Sequence, residues 1–540
     1  MPGPDYVVHN ANIYTIDGRH PTATAFGVRD GRFRMVGTDA SVGNAAFEVH
    51  HVDAEGHTIV PGFVDAHAHL HELGHALRRA DLSAAGSPRA VVERLTAFAA
   101  EHDLPPGAWL RGHGWDETRW PAAPSRAPLD AAFPERPVWV VRTDIHAGWA
   151  NTAALEATVG LDRLRRMDDP AGGRIDRDDA GRPTGVLVDE AMALVEDSMP
   201  PPTDAEQDRA LRTALRHAAR RGVTSVHDAG VERSEIRRFR RFIEADSFPC
   251  RVYAMALGES DAFDHACEHG PLRHPSGRLD VASVKFFADG ALGSRGAALL
   301  DDYADAPGNV GLLRHSPEAL RARVRRAVEC GLQVNTHAIG DRAVRGVLDA
   351  YEAAAAEADA PVRRPRIEHA QVVAPEDRPR FGALGAVASV QPAHATSDLD
   401  WVAARLGTDR LDRAYAWASL RDAGARLAFG SDAPVEPLDP IRALHAAITR
   451  QTPDGRPEGG WRPAERIARA AALRAHTLGA AYAGFQEDEI GSIAPGKRAD
   501  WVVLSRDPMR VPPEDLPGTE VLATYLDGHR AYATADWPDL

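Results

Sequence analysis

Thr58-Ile-Val-Pro-Gly-Phe-Val-Asp-Ala-His-Ala-His69 is the stretch on which the fold turns. It is a short apolar run that ends in two histidines two positions apart. Alternate residues of an extended chain point the same way, so His67 and His69 leave one strand on one face. There they are close enough to share a metal ion, provided that other ligands arrive from elsewhere in the chain.

Seven further runs of similar texture follow: Gly222 to Asp228, Arg251 to Leu257, Val281 to Phe287, Leu332 to His337, Arg366 to His369, Ala386 to Gln391 and Arg426 to Asp432. Helical patterns such as Glu318 to Cys330 and Arg342 to Ala358 lie between them. Strands alternating with helices predict parallel βα units of an α/β fold. Eight strands are what a closed (β/α)₈ TIM barrel needs, and in such a barrel all the strand ends open onto one face. Polar residues far apart in sequence then converge: His67, His69, Lys285, His337, His369 and Asp432.

Four imidazoles and a carboxylate suit zinc or a similar divalent ion, one or two per site. Such an ion would turn water into hydroxide near neutral pH, with Asp432 as the proton shuttle. Lys285 is odd in this company, because an ammonium cannot ligate a cation. It fits as a partner of Asp432, or as a carbamate formed with CO₂ (N6-carboxylysine), which is anionic and able to bridge two metals. The chain has 24 histidines, so any single one at a strand end is weak evidence of a ligand. His227 is read as lying near the site without ligating. The ordered set carries the reading.

The bulk composition is that of a soluble globular enzyme. Of the 540 residues, 44% are hydrophobic and 26% charged, and the formal net charge is −15. That balance argues against a nucleic-acid partner. No apolar run is long enough to span a bilayer. Cys250, Cys267 and Cys330 are widely separated and make no disulfide framework, so reduced thiols in a cytoplasm are expected. Met1-Pro-Gly-Pro-Asp-Tyr6 lacks the basic and apolar stretches of a signal peptide, in line with that compartment.

Both ends read as short strands and turns. Asp17-Gly18, Asp30-Gly31 and Asp527-Gly528 are turn signals, and Asp500 to Ser505 and Val521 to Leu526 are strand-like. Residues 1–58 and 485–540 are therefore expected to pair into one small β-sandwich domain, beside a barrel domain of residues 59–484. One stretch breaks the βα rhythm. Residues 105–202 are rich in Pro and Gly and hold five of the ten tryptophans. They read as an insertion, or lid, over the barrel mouth. Taken one at a time, these tryptophans more simply build the insertion's own core.

At this point the chain resembles the metal-dependent amidohydrolase superfamily. Pro61-Gly-Phe-Val-Asp-Ala-His-Ala-His69 is similar to its strand-one signature, and Gly430-Ser-Asp-Ala-Pro434 to its strand-eight aspartate. Ile490 to Leu504 resembles the re-entry into its small β domain. Lys285 to Arg295, Thr336 to Asp341 and Ile367 to Gln371 look like amidohydrolase family 3, the branch containing N-substituted formamide deformylase. Asp144 to Asn151 resembles that branch's inserted motif, with Ile145 and Gly148 as minor departures. The resemblance covers essentially the full length. It implies that His67 and His69 hold a buried metal, His337 and His369 an outer one, and that Lys285 bridges them as a carbamate. With a single metal, His337 or His369 would instead be catalytic, holding the substrate carbonyl or the water. A homodimer is common among such enzymes.

The expected activity is hydrolysis of a non-peptide C–N bond in a small amide or N-substituted formamide. Hydrolysis of a lactone, carbamate or cyclic imide, or metal-assisted isomerisation or decarboxylation, is the alternative on the same scaffold. A catalytically dead barrel used for assembly is the remote one. Substrate contacts are assigned to His113, Trp115, Asp116, Asp144, His146 and Trp149 in the insertion, and to Asp289, Arg295, Gln391 and His394 in the barrel. The tryptophans hint at an aromatic or otherwise apolar substrate.

Overall fold

The computed structural model describes residues 6–43, 49–102, 104–105, 107–117, 120, 123–142, 147–170, 173–357, 361–535 and 537. The chain divides into two units, Met1–Glu72 with Leu215–Leu540, and Leu73–Ala214.

Eight parallel strands form the centre of the first unit: β1 Phe63–Ala68, β2 Val223–Val231, β3 Arg251–Leu257, β4 Leu279–Phe287, β5 Gln333–Ala338, β6 Arg366–His369, β7 Val387–Val390 and β8 Arg426–Phe429. Each pairs with the next in sequence order. A parallel bridge between Ala68 and Ala433 brings the two ends of the sheet together. This is the barrel that the eight apolar runs predict. Strands covered on both faces can be apolar throughout, and all six residues of β1 are buried. Gly430 sits at the seam, where a Cβ would lie 2.5 Å from the amide nitrogen of His67. Only glycine lets β8 approach β1 that closely.

Helices return the chain between strands, and their starts are written locally. Ser316 caps Pro317–Glu329 by accepting from the Ala319 amide, with Pro317 in the first turn, where its missing N–H costs nothing. The helix after β5 runs Asp341–Glu357.

The chain ends interleave. The strand Trp501–Leu504 pairs with Val521–Leu526 on one side and with Thr58–Pro61 on the other. Asn12–Tyr14 and Thr22–Ala23 extend this sheet. A second sheet holds Tyr6–His9, Ala25–Arg29, Arg32–Gly37 and His50–Asp53. Tyr6, Phe26, Phe33, Ile59, Trp501 and Tyr525 share one buried core, in which Trp501 and Tyr525 stack with ring centres 3.8 Å apart. Asp30-Gly31 and Asp527-Gly528 both adopt the paired positive φ of two-residue hairpin turns.

The expectation of three reduced thiols is corrected. Cys267 and Cys330 form a disulfide with a Cα–Cα distance of 4.9 Å, while Cys250 is free and buried. The half-cystines sit near the ends of the helices that follow β3 and β4, Asp261–His269 and Pro317–Glu329. Their sequence separation of 63 hides the pairing from any local motif.

The second unit is built on a six-stranded sheet that includes Leu110–Trp115, Val138–Arg142, Ala147–Ala150 and Pro183–Asp189. Successive residues of one strand serve opposite faces: Val138 and Val140 enter a core with Trp115, Trp120 and Trp149, whereas Trp139 enters another with Leu155 and Leu187. The unit starts at Leu73, well before residue 105, because the strand Ala80–Asp81 and the helix Pro88–Glu101 belong to its sheet and core. Among the described residues, no helix is long and apolar enough to cross a membrane.

Candidate metal centre

The C-terminal ends of β1, β4, β5, β6 and β8 bring the predicted residues together. Nε2 of His67 lies 3.2 Å from Nζ of Lys285 and 3.5 Å from Oδ1 of Asp432. His69 reaches the same Oδ1 at 3.2 Å. The imidazole of His369 packs against His67 and His337, with ring centres 4.8 and 4.5 Å apart. Asp432 takes a positive φ of 60° just past β8, where its amide donates to the His67 carbonyl at 2.7 Å. The backbone of one end strand thus positions the carboxylate against the histidine of the other.

These donors fit a divalent cation. One ligand atom each from His67, His69 and Asp432 lies within 4.8 Å of the others, and the same holds for His369, His394 and Asp432. Nε2 of His337 and Nε2 of His394 are buried and have no hydrogen-bond partner among the described residues. Burial, followed by the charge of Lys285, holds the His67 pKa down at about 4. Burial also keeps His337 and His369 well below the usual imidazole range. The rings are therefore neutral at physiological pH, the state that ligates metal. Burial lowers Lys285 to about 8 despite Glu368 and Asp432 nearby. Burial opposes ionisation of Asp432, yet the His69 hydrogen bond and the surrounding imidazoles keep its pKa well below the usual value.

Residues 50–532 match the sequence profile of the Amidohydrolase family. The chain belongs to that family. Among its relatives, Protein LONG AFTER FAR-RED 3 of Arabidopsis thaliana is 36% identical, over 98% of this chain and 91% of its own length. The N-substituted formamide deformylase of Arthrobacter pascens is 31% identical over 98% of both chains. The crystal structure of an uncharacterized metal-dependent hydrolase from Pyrococcus horikoshii superposes with a TM-score of 0.76 at 27% identity, over 94% of this chain and 99% of that one. Family and structural likeness together make this amidohydrolase an enzyme, a metal-dependent hydrolase.

The substrate residues expected in the barrel are placed differently from one another. Gln391 accepts a hydrogen bond from Nδ1 of His369 at 2.9 Å. His394 stacks on His369 at 6.3 Å, and its Nε2 is 3.8 Å from Oδ2 of Asp432. Asp289 sits 3.5 Å from His337, but its oxygens accept from the amides of Ala298, Ile339 and Gly340. Arg295 pairs with Asp305 at 2.9 and 3.0 Å, on an exposed loop. In the second unit, Trp115 and Trp149 are buried in the core, and their indole N–H groups donate to the Val140 and Ser125 carbonyls. That is the simpler reading of those rings. His113 is exposed and Asp116 lies 3.9 Å from Arg142. Asp144 and His146 fall outside the described residues.

Sequence reasoning passed over the layer behind the histidines. Glu368 Oε2 lies 2.5 Å from Nδ1 of His67, and Arg366 grips Glu368 with Nε at 2.8 Å and Nη2 at 3.1 Å. The same guanidinium donates to the Ala66 carbonyl and Ser389, and Nη1 approaches Nδ1 of His227 at 2.8 Å. His227 is thus tied to this layer rather than aimed at the cluster. Burial opposes a Glu368 anion, but Arg366 and His67 hold its pKa well below normal. A carboxylate on the far nitrogen fixes the tautomer of His67 and strengthens it as a ligand. The signal was available: a buried Arg-x-Glu immediately before a strand-end histidine needs partners inside the barrel.

Proposed function

We propose that this amidohydrolase cleaves the C–N bond of a small amide, with N-substituted formamides as the leading substrate class. One observation carries the reading: His67, His69, Lys285, His337, His369 and Asp432 converge on one barrel mouth in a chain 31% identical to a formamide deformylase along its length. His67, His69, His337, His369 and Asp432 would hold one or two zinc ions, with Lys285 carboxylated at Nζ to supply a further oxygen donor. A divalent ion bound there supplies Lewis acidity and eases the ionisation of water.

The chain's own residues do the remaining work. A carboxylate oxygen of Asp432 takes the proton from the attacking water and returns it to the departing nitrogen, so that an amine leaves rather than an amide anion. The Arg366–Glu368 pair holds His67 in one orientation, and Gln391 does so for His369. His394, beside Asp432, faces the same space and orients the substrate.

The test is a screen of the zinc-loaded protein against N-alkyl and N-benzyl formamides, simple amides, lactones and cyclic imides, with products weighed by mass spectrometry. Formate and free amine are expected. Turnover of lactones with no turnover of any amide would overturn the reading.

A further inference from the structure

The second unit carries a cluster of charge that hydrolysis does not use. His75, Arg78 and Arg79 lie at and just beyond the end of the helix Leu70–Ala76, Arg111 comes from the strand Leu110–Trp115, and Arg209 from the helix Asp204–Arg220. All line one cavity of about 300 Å³, whose wall also includes Trp109 and Pro200 to Pro202.

Four guanidiniums around one cavity repel each other, because arginine stays charged at any physiological pH. Burial, with the charge of Arg209, lowers the Arg78 pKa. Burial, with the charge of Arg79, lowers that of Arg111. Among the described residues, Glu206 is the one carboxylate in the lining. Its Oε2 is already engaged, accepting from the Thr203 amide and hydroxyl at 2.8 Å each. Among the described residues, no carboxylate makes a salt bridge with any of the four arginines, and Nε of Arg209 is buried with no hydrogen-bond partner. Of the fully buried arginines elsewhere, Arg251 and Arg366 are matched by carboxylates, and Arg450 is held by backbone carbonyls and the face of Trp417. Glu206, and Glu196 near Arg111, offset part of this repulsion, but the lining keeps an excess of positive charge that a bound anion would balance.

We infer that this cavity is a binding site for a multiply charged oxyanion of the phosphate class, free or as a phosphate ester, gripped by Arg78, Arg79, Arg111 and Arg209. The planar guanidinium donates paired hydrogen bonds that match the edges of such an anion. His75, whose Nε2 lies 2.9 Å from Gln207 Oε1, adds a polar ring at the rim.

The experiment is calorimetric and thermal titration of the full-length, metal-loaded protein with inorganic phosphate, glycerol phosphate and succinate at fixed ionic strength. The wild type is run beside an Arg78→Gln/Arg111→Gln double variant, which separates this cavity from phosphate bound at the metal centre. Phosphate or its ester should raise the melting temperature of the wild type, and affinity should fall at least tenfold in the double variant. Without anion, the double variant should melt no lower than the wild type, since it relieves repulsion. Tighter binding of glycerol phosphate assigns an organic phosphate, and equal binding assigns the free ion; both uphold the site. Phosphate affinity unchanged by the double substitution, succinate binding as tight as phosphate, or no anion binding at all would each overturn it. Should the double variant fail to fold, Arg79→Gln, at an exposed position, carries the same readout.

Discussion

The two ends of the barrel strands bury charge in opposite ways. Arg251 opens β3 at the N-terminal end, and it donates to both oxygens of Asp500 at 2.9 Å and also reaches Asp527. Arg498 adds a second cation on Asp527 at 2.9 Å. Each of these four charges has an opposite charge in contact. At the C-terminal end, imidazoles face one another, a lysine is wedged among them, and Nε2 of His337, Nε2 of His394 and Oδ2 of Asp65 are buried with no hydrogen-bond partner among the described residues. Burial without partners is unfavourable, so the mouth stores the cost that the base avoids. The base is arranged for stability. The mouth is arranged to be completed by something that binds.

If that contrast holds, substitutions at the mouth should remove turnover and leave the fold standing. Asp432→Asn keeps the shape of the side chain and its backbone hydrogen bond to His67 but cannot carry a proton. Amide turnover should fall by about 10³-fold, the usual scale for losing a positioned acid–base group. Zinc retained on the purified variant, measured by elemental analysis, would show that the site itself persists. Undiminished turnover would remove Asp432 from the mechanism.

At the base the effect should appear in stability instead. Burial opposes ionisation of Asp527, but Arg251 and Arg498 bring its pKa down to about 2. An unfolded aspartate titrates near ~3.9. The stabilisation is therefore full above pH ~4 and is lost as pH falls from there towards 2. Asp527→Asn should cost about 2–3 kcal/mol at neutral pH and flatten the acid limb of the denaturation profile over that window. An unchanged profile would mean that the pair is solvated and the contrast between the ends is overstated.

Much of this was legible in the sequence, for reasons that also mark its limits. A barrel strand covered on both faces is an apolar run, and one that ends in His, Lys or Asp announces both the strand and the site; His67, Lys285, His337 and Asp432 are all of that kind. Asp30-Gly31 and Asp527-Gly528 announce hairpins because few residues other than glycine accept the second turn position. What stayed hidden is pairing between distant elements. Nothing local links Arg251 to Asp500, or Cys267 to Cys330. Arg366 and Glu368 pass as ordinary members of a strand run, because their partners, His67 and Ala66, lie some 300 positions away. The second unit begins at Leu73, before its composition becomes unusual, since sheet pairing and not composition sets the boundary.

Glu368 joins the two patterns: it is a base-like, fully matched charge placed directly behind the unmatched mouth. Glu368→Gln keeps the shape but removes the charge from Nδ1 of His67 and from Arg366. Zinc affinity should drop about 10–100-fold in competition with a chelator, as for other carboxylates behind a ligating histidine. Unchanged affinity would show that His67 needs no partner to ligate.

Gln391 is the finer probe, because it stands behind His369 as Glu368 stands behind His67, but without a charge. Its Oε1 accepts from Nδ1 of His369 at 2.9 Å, which leaves Nε2 of that ring for the site. A neutral hydrogen bond is worth about 1 kcal/mol net, so Gln391→Leu should weaken zinc binding roughly fivefold and leave the melting temperature of the metal-free protein nearly unchanged. Gln391→Glu should act in the reverse direction and tighten zinc, since an anionic partner makes the ring more basic. If both variants bind zinc like the wild type, His369 is not a ligand and its place is on the substrate. If only the glutamate variant changes, the ring is held by packing against His337 and His394, and charge alone tunes it.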